Sequence, residues 1–192
     1  MRHDVMRDAD DTVLARKAAM GDRDAFTVIA HRHGPAMYRF ARRIVQDDGD
    51  AEDVVQDALV GAWRDLDQFR GAASLRTWLF RLTINRARTA LRKRRPAPLG
   101  DRTAEPGVSA GTIGIAAAAD PAQEAIRERL LAALDAALAG LPERSRIAWI
   151  LREIDGLSYD EIVAVTGMTR NSIRGHVYRA RRTLAQRLAT WR

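Results

Sequence analysis

Apolar residues recur at three- and four-residue spacing through most of the chain, and almost no segment alternates apolar and polar residues with a period of two. This pattern predicts an all-α protein. In the first half of the chain, the predicted helices cover residues 12–20, 24–33, 36–45, 51–64 and 75–95. Asp50 and Ser74 are predicted N-caps, because short polar side chains there accept hydrogen bonds from backbone N–H groups, and Asp53 would suit the helix dipole.

The composition changes between residues 96 and 120, where Pro, Gly, Ala, Ser and Thr predominate and no helical period is visible. We interpret this segment as a linker between two small helical domains at 11–95 and 121–192, with a flexible N-terminus at 1–10. A coil of this length spans ~25–30 Å on average and roughly 80 Å when fully extended. It would let the domains occupy separate DNA elements, although a merely disordered spacer has the same composition.

The second half begins with a predicted N-cap at Asp120 and a helix to about Ala139, followed by a short helix that ends near Ile154. Residues 158–161 (SYDE) form a predicted capping box. A helix at 158–166, a turn at Gly167 and a helix capped by Thr169 have the proportions of a helix-turn-helix. The last helix has a predicted buried stripe of Ile173, Val177, Ala180 and Leu184.

The opposite face of that last helix is basic, and no carboxylate occurs from Ile162 to Arg192. Asn171 and Arg174 are placed to contact base edges, each such contact contributing roughly 1–3 kcal/mol of discrimination. Arg179 and Arg182 suit phosphates. An ordinary helical hairpin with solvated arginines is the alternative, but two capped helices around the correct turn favour DNA binding.

Charge and residue usage narrow the function classes. A formal charge of +7 and a pI near 10.8 favour a polyanionic partner, with nucleic acid the leading candidate. The chain has no cysteine, and His31 and His33 diverge on a predicted helix, so we expect neither a metal nor a cofactor. The N-terminus lacks the apolar core of a signal peptide, and no 18-residue apolar run occurs. We therefore expect a cytoplasmic protein without membrane insertion.

A basic and aromatic segment follows the fourth predicted helix. Between Asp67 and Asp101 the chain carries nine Lys/Arg and no carboxylate. Arginines there would bind phosphates, while Phe69, Trp78 and Asn85 offer stacking faces and base-edge hydrogen bonds. Such groups matter most when bases are unstacked, so the segment predicts contact with strand-separated DNA.

The helix at 51–64 has a different chemistry. Its predicted buried residues are apolar, namely Ala51, Val54, Val55, Ala58, Leu59, Ala62 and Trp63. Its opposite face carries Glu52, Asp53, Gln56 and Asp57 with little cationic compensation. A solvated face is the ordinary interpretation of such a row, but beside two DNA-binding surfaces it favours a protein-docking face. Trp149, like Trp63, is predicted to belong to the core.

Several motifs in order resemble the sigma factors of bacterial RNA polymerase, specifically the small two-domain extracytoplasmic-function (ECF) group. In the first domain they are GDRDAF (21–26), DAEDVVQD (50–57) and FRGAASLRTWL (69–79), and in the second LPERSR (141–146) and DGLSYDEI (155–162). The likeness covers nearly the whole chain.

The resemblance implies a role for each surface. The acidic helix would dock on the clamp helices of the polymerase's largest subunit through Asp53, Gln56 and Asp57. A flipped base of the non-template minus-ten strand would occupy a pocket matching Phe69 and Asn85. The full set implied for the minus-ten element is Phe69, Arg76, Trp78, Asn85, Arg88 and Arg92, and the set predicted for the minus-thirty-five element is Arg170, Asn171, Arg174, Tyr178, Arg179 and Arg182.

The chain also departs from the family pattern. Thr89 stands where many relatives have an acidic residue, four positions after the capture-loop Asn. In the recognition helix, Gly175 and His176 replace side chains that contact DNA in relatives. These departures affect local hydrogen bonding and the preferred promoter sequence.

Three function classes can be compared. A sigma factor that binds core polymerase and promoter DNA, and that is held inactive by an anti-sigma protein as relatives commonly are, accounts for all three surfaces. An autonomous helix-turn-helix regulator binding duplex DNA would leave the aromatic–basic segment and the acidic helix unexplained. A DNA-processing enzyme would need a nucleophile with converging acid and base groups, and the sequence offers no such cluster. We therefore expect no enzymatic activity.

Overall fold

The computed structural model describes residues 8–94 and 121–189, which form helices and connecting turns without a β-strand. This confirms the all-α prediction. The first domain consists of α1 (Asp11–Ala19), α2 (Arg23–Val45), α3 (Asp48–Asp65), a 3₁₀ turn (Leu66–Gln68) and α4 (Leu75–Arg94). The predicted linker, the cap at Asp120 and most of the predicted flexible N-terminus lie outside the described residues.

The second domain consists of α5 (Pro121–Ala139), α6 (Glu143–Trp149), a π-helical continuation of α6 (Ile150–Ile154), α7 (Tyr159–Thr166) and α8 (Arg170–Arg187). Helix α5 ends at Ala139 and the extension of α6 ends at Ile154, both as predicted. The exact limits of the two domains, set at 11–95 and 121–192 from composition, remain a prediction.

The predicted break between helices at 24–33 and 36–45 was wrong, because α2 continues through Pro35. Proline inside a helix removes one backbone hydrogen bond and costs roughly 3 kcal/mol. The buried residues Ile29, Met37 and Phe40 lie on both sides of Pro35 and pack into one core. Burial of each such side chain contributes roughly 1.5–3 kcal/mol, so tertiary packing outweighs the local cost.

The N-cap of α3 is Asp47 rather than Asp50. The Asp47 side chain accepts a hydrogen bond from the Asp50 N–H at 2.9 Å, so the helix begins at Asp48, three residues earlier than predicted. The cap predicted for α4 is confirmed, since Ser74 Oγ accepts from the Thr77 N–H at 3.1 Å. Four closely spaced aspartates at 47–53 offered several possible caps, whereas Ser74 had no local competitor.

Aromatic and aliphatic side chains fill the core of the first domain. The rings of Phe40 on α2 and Phe80 on α4 stack with centroids 4.9 Å apart, and both residues are fully buried. Helix α1 is joined to α2 by Asp11, which contacts Arg32 at 2.6 Å and His33 Nε2 at 2.9 Å. Helix α3 packs against both α2 and α4 in the same domain.

The helix-turn-helix was predicted correctly. Ser158 and Glu161 form a reciprocal capping box at the start of α7, and Thr169 caps α8. Gly167 ends α7 with φ at 70°, a conformation that suits glycine. The predicted stripe of Ile173, Val177, Ala180 and Leu184 is buried.

The two domains are in contact with each other. Helix α4 of the first domain packs against α7, and α2 packs against α5 and α6. Three polar contacts cross the boundary, joining Arg76 to Asp155, Thr77 to Glu161, and Arg88 to Glu143. We call this set of six residues the interdomain contact.

Candidate nucleic-acid interface

The first predicted DNA surface follows one face of α4. Phe69, in the loop before the helix, and Trp78 form an aromatic pair with ring centroids 5.6 Å apart and planes inclined at 52°. Asn85 lies seven residues after Trp78, hence on the same face and about 10.5 Å along the axis, and it is exposed. The structure therefore brings the three residues of the proposed base-capture pocket onto one side of the domain.

The same face contains a residue that the sequence argument missed. Arg81 is exposed and lies between Trp78 and Asn85, three residues from one and four from the other. Arg81 could have been predicted from helical spacing, because residues three and four positions apart lie on the same face of a helix. With Arg92, which is also exposed, Arg81 extends the basic surface on both sides of Asn85.

Thr89 takes part in a short chain of hydrogen bonds beside Asn85. Its hydroxyl donates to the Asn85 carbonyl at 3.0 Å, and Arg92 Nη2 donates to the same hydroxyl oxygen at 3.0 Å. A neutral hydroxyl thus orients Arg92 where many family members carry an acid. The Asn85 side chain is left to project from the exposed face.

Two of the six residues predicted for the minus-ten element are engaged by the second domain. The Arg76 guanidinium lies 5.0 Å from the Phe80 ring centroid and donates to the Asp155 carbonyl at 3.0 Å. Arg88 Nε lies 3.6 Å from a carboxylate oxygen of Glu143. Sequence spacing within α4 contains no information about these distant partners.

Asp155 carries the largest electrostatic perturbation of the interdomain contact. Its side chain is 12% exposed, and burial raises the pKa of this carboxyl to about 6, although Arg76, Arg43 and Arg39 act in the opposite direction. The Arg76 contact to Asp155 Oδ1 is long, at 3.5 Å. Desolvation of the carboxylate therefore exceeds the attraction of the surrounding guanidinium groups.

The second predicted DNA surface is the outer face of α8. All six predicted residues are exposed, and they share this face: Arg170, Asn171, Arg174, Tyr178, Arg179 and Arg182. Their side chains come from the first four turns of the helix, and in a helix-turn-helix the N-terminal residues of this helix contact base edges in the major groove.

Tyr159, the first residue of α7, contacts two of these arginines and a third, Arg152, from the extension of α6. Its ring centroid lies 4.9 Å from the guanidinium carbon of Arg152, 5.5 Å from that of Arg174 and 6.0 Å from that of Arg170. Arg170 also contacts Asp160 at 3.1 Å. Cation–π contact of this kind restrains long side chains that would otherwise sample many rotamers. The sequence argument did not identify Tyr159.

His176 is turned toward the domain core. Its Nδ1 lies 3.0 Å from Ser145 Oγ and 3.2 Å from Arg179 Nη2. Burial, followed by Arg179 and Arg144, lowers the pKa of His176, which favours the neutral imidazole. Gly175 leaves room for Arg179 to fold along the helix, because a Cβ at 175 would lie 3.2 Å from Arg179 Nη1. His176 and Gly175, the two residues that differ from the family pattern in this helix, therefore both contact or make room for the Arg179 side chain.

The acidic face of α3 is exposed at Glu52, Asp53, Gln56 and Asp57. Its cationic compensation is larger than the sequence indicated. Arg86 and Lys93 of α4 line the same shallow depression as Asp53 and Asp57. The face is thus an acidic row with basic groups along one margin.

Trp63 was wrongly predicted to be a core residue. Its exposure is 36%, and its ring meets Phe26 edge-on with centroids 5.1 Å apart. The helical period places Trp63 at the margin of the buried stripe, beside Phe26 in the first turn of α2. It lines an apolar groove beside the acidic row, together with Phe26, Tyr38, Val55, Leu59 and Val60. Trp149 is half-buried and packs against the core.

Comparison with known proteins identifies the family. Residues 29–97 match the model of Sigma-70 region 2, and residues 131–184 match that of Sigma-70, region 4. The ECF RNA polymerase sigma-E factor of Escherichia coli K12 is 34% identical over 177 residues, covering 91% of this chain and 92% of that protein. The chain belongs to the ECF sigma factors of the sigma-70 family.

Other relatives agree with this assignment. The RNA polymerase sigma-H factor of Pseudomonas aeruginosa is 33% identical over 181 residues, covering 93% of each chain. The structure of CnrH in complex with the cytosolic domain of CnrY has a TM-score of 0.68 at 30% identity, with coverage of 94% of this sigma factor and 97% of that chain. The sigma factor RpoE of Bartonella quintana has a TM-score of 0.65 at 26% identity, with coverage of 87% and 98%.

As an ECF sigma factor, the protein is a transcription initiation factor of RNA polymerase. Within residues 8–94 and 121–189, no helix combines the length and apolar character that crossing a membrane requires.

Proposed function

We propose that this sigma factor docks on core RNA polymerase through α3, recognises the minus-thirty-five element through α8 and opens the minus-ten element through α4 and the loop before it. Each surface has the chemistry that its role requires. Two are basic, and the third is acidic beside an apolar groove. The α8 face is exposed, and the α4 face is exposed at Asn85 and Arg92 but contacts the second domain at Arg76 and Arg88.

The observation that carries the proposal is the arrangement of Phe69, Trp78 and Asn85. Two aromatic rings in contact and an exposed amide on the same face can capture an unstacked base and hydrogen-bond its edge. Flipping a base costs a few kcal/mol, which stacking and base-edge contacts offset. A protein that binds only duplex DNA would not need this aromatic pair and amide, because the bases of a duplex stay stacked.

At the minus-thirty-five element, Asn171 and Arg174 would contact base edges in the major groove. Asn is suited to adenine and Arg to guanine, because each can form two hydrogen bonds to its base. Tyr178, Arg179 and Arg182 would contact the backbone, with Arg170 at the start of the helix. The stacking of Arg174 on Tyr159 supports a defined direction of approach.

Polymerase docking would combine charge and apolar burial. Asp53, Gln56 and Asp57 would meet basic residues of the clamp helices, and the groove beside Trp63 would take an apolar side chain from the same partner. Aromatic residues at the centre of an interface contribute most to binding, with charges at its rim setting orientation.

The reaction chemistry would belong to the polymerase, and this chain would itself be no enzyme. We place the protein in the cytoplasm, where bacterial transcription takes place. An anti-sigma protein is proposed as a further partner, because the similar RpoE of Bartonella quintana was solved in complex with the anti-sigma factor NepR.

The proposal is tested by mixing the purified protein with bacterial core RNA polymerase and a pool of promoter fragments. We expect comigration in gel filtration, together with permanganate reactivity of promoter thymines that depends on core enzyme. Tight binding to duplex DNA with neither effect would contradict the proposal and indicate an autonomous regulator.

A further inference from the structure

His176 is half-buried on α8, where this helix packs against α6. Its Nδ1 lies 3.0 Å from the hydroxyl oxygen of Ser145, a buried residue of α6, and 3.2 Å from Arg179 Nη2 one turn further along α8. The imidazole ring is therefore anchored by a second helix, so its orientation does not depend on the backbone of α8 alone.

The contact with Arg179 determines which nitrogen of His176 carries the proton. A guanidinium group can only donate hydrogen bonds, so Nδ1 must be the unprotonated acceptor and Nε2 must carry the hydrogen. The Ser145 hydroxyl must then donate to Nδ1 as well. Burial, followed by the charges of Arg179 and Arg144, lowers the pKa of His176 and so favours this neutral ring.

The Arg179 side chain folds back toward the start of α8. A Cβ added at Gly175 would lie 3.2 Å from Arg179 Nη1, closer than ordinary van der Waals contact, so the guanidinium group fills the space beside this glycine. Gly175 and His176 are the two positions at which this helix departs from the family pattern. In this chain both of them accommodate one arginine.

An arginine that is held before binding loses less conformational entropy when it meets DNA. Arg174 is held by the ring of Tyr159, at 5.5 Å from its guanidinium carbon to the ring centroid. The contact of Arg179 with His176 does the same for a second arginine on this face. A phosphate contact that is fixed in this way sets the register in which neighbouring side chains reach base edges.

We propose that His176 is a positioning residue for the minus-thirty-five contact, whose neutral ring, anchored by Ser145, holds the Arg179 guanidinium where it meets the promoter backbone. The inference rests on the proposed function, since it needs α8 to bind the minus-thirty-five element. It adds that recognition depends on the protonation state of one histidine.

Protonation of His176 would release Arg179. An imidazolium ring presents an N–H group and a positive charge at Nδ1, where the guanidinium needs an acceptor. The charged groups that act on His176 are Arg144 on α6 and Arg179 on α8, and both oppose protonation. Loss of the contact leaves the Arg179 side chain free to sample other rotamers.

The experiment measures the sequence preference of the holoenzyme formed with bacterial core RNA polymerase. The probe is a pool of duplex fragments randomised at the minus-thirty-five and minus-ten elements. Sequencing of the bound fraction identifies the most enriched fragment. Its affinity divided by that of the unselected pool is the specificity ratio, which separates specific recognition from the general attraction of phosphates.

Four proteins are compared with the wild type. His176→Leu removes the acceptor, whereas His176→Asn keeps it, because the side-chain oxygen of asparagine can take the place of Nδ1 but does not titrate. Arg179→Ala with and without His176→Leu shows whether the histidine acts through the arginine. His31→Leu removes an exposed histidine of the first domain and is the matched control.

We expect His176→Leu to lower the specificity ratio by about twofold to tenfold near neutral pH, the net contribution of a typical hydrogen bond. His176→Asn and His31→Leu should match the wild type. In the Arg179→Ala background, His176→Leu should have no further effect, because the arginine that it positions is missing.

The pH profile is the second measurement. Because the pKa of His176 lies below its ordinary value of 6.5, the specificity ratio of the wild type should stay level above pH 6.5 and fall below it. The ratio of His176→Asn, measured at each pH, accounts for titration elsewhere in the holoenzyme. Affinity for the unselected pool should not fall with the ratio, since an added positive charge favours phosphates.

Equal specificity ratios for His176→Leu and the wild type would overturn the inference, and so would a full effect of His176→Leu in the Arg179→Ala background. If circular dichroism shows that His176→Leu does not fold, His176→Gln replaces it, because glutamine moves the acceptor one carbon further from the helix. If the wild-type holoenzyme enriches no minus-thirty-five sequence, the function proposed for α8 is refuted, and the inference with it.

Discussion

Asn85 is the side chain whose removal best separates DNA opening from polymerase binding. It lies on α4, outside the acidic row of α3, and it is exposed on the same face as Trp78. We expect Asn85→Ala to comigrate with core polymerase as the wild type does. Promoter opening should fall by about tenfold or more, because a lost pair of base-edge hydrogen bonds costs roughly 1–3 kcal/mol.

Permanganate footprinting of promoter thymines measures that loss directly. Thr83→Ser, a change at a fully buried position of the same helix, serves as a control for general effects on α4. Unchanged footprints in Asn85→Ala would show that this residue does not take part in base capture.

Tyr159 has a testable role in the minus-thirty-five contact. Its ring faces Arg152, Arg170 and Arg174, so removal of the ring frees these side chains. We expect Tyr159→Leu to weaken holoenzyme binding to promoter DNA by about threefold to thirtyfold, from cation–π contributions of roughly 0.5–2 kcal/mol. Tyr159→Phe keeps the ring and should bind normally in an electrophoretic shift assay. Equal affinities for the Leu and Phe variants would exclude this role.

The positions of some site residues could be predicted from the sequence, and those of others could not. Helical spacing and the loop position of Phe69 account for the shared side of Phe69, Trp78 and Asn85, whose role in base capture stays a prediction. The sequence could not reveal the partner of Arg76, since Asp155 is 79 positions away. The prediction that Trp63 is buried was wrong, because a periodic pattern shows which side of the helix a residue lies on but not how completely neighbouring helices cover it.

The acidic row on α3 leads to a prediction for the whole helix face. Asp53→Lys combined with Asp57→Lys should abolish comigration with core polymerase, because two attractive contacts become repulsive. Helical content should stay unchanged, since both side chains are exposed. Asp24→Lys with Glu128→Lys, also exposed, changes the net charge equally and should comigrate normally in gel filtration. Normal comigration of the α3 variant would remove the docking assignment.

Among the helices, the structure agrees with the sequence where caps are unambiguous and differs where they are not. Ser74, Ser158 and Thr169 each have no competing cap nearby, and each begins its helix as predicted. The predicted start of α3 was wrong because Asp47 and Asp50 have the same intrinsic preference for the N-cap position. Pro35 predicted a break between two helices, but α2 is continuous because long-range packing stabilises it. Helix propensity is a local quantity and does not include such packing.

Closure of the two domains should depend on pH. The pKa of Asp155 is about 6 in the closed form, in which the two domains are in contact and the carboxyl is buried. We expect this pKa to fall toward the ordinary value of 3.8 when separation of the domains exposes the carboxyl to water. Between these values the closed form binds more protons, so closure strengthens as the pH falls through 6 and gains nothing above about 7. The gain is at most ~3 kcal/mol, at 1.36 kcal/mol per pKa unit.

With one dye on each domain, at Ala19→Cys and Ala185→Cys, energy transfer should therefore rise when the pH is lowered from about 7.5 to about 5. The charged groups that face Asp155 are Arg76 on α4 and Arg43 and Arg39 on α2. Asp155→Asn should abolish the pH response. A response that persists in this variant would assign the titration to another group.

The contact between domains was beyond the sequence argument for a physical reason. A linker of the length predicted from the sequence is compatible with many arrangements of the two domains. Which one is populated depends on a few contacts, each weak on its own, such as that between Arg88 and Glu143. Neither the hydrophobic periodicity nor the composition of the sequence predicts which residues of the two domains pair.

The groove beside Trp63 changes how docking responds to ionic strength. Charges on the α3 face are screened within about 8 Å at physiological ionic strength, so their attraction weakens as salt increases. Burial of apolar surface in the groove lined by Phe26 and Trp63 is not screened in this way. Salt should therefore slow the encounter with polymerase more than it shortens the lifetime of the complex, and a holoenzyme already assembled would survive an osmotic upshift.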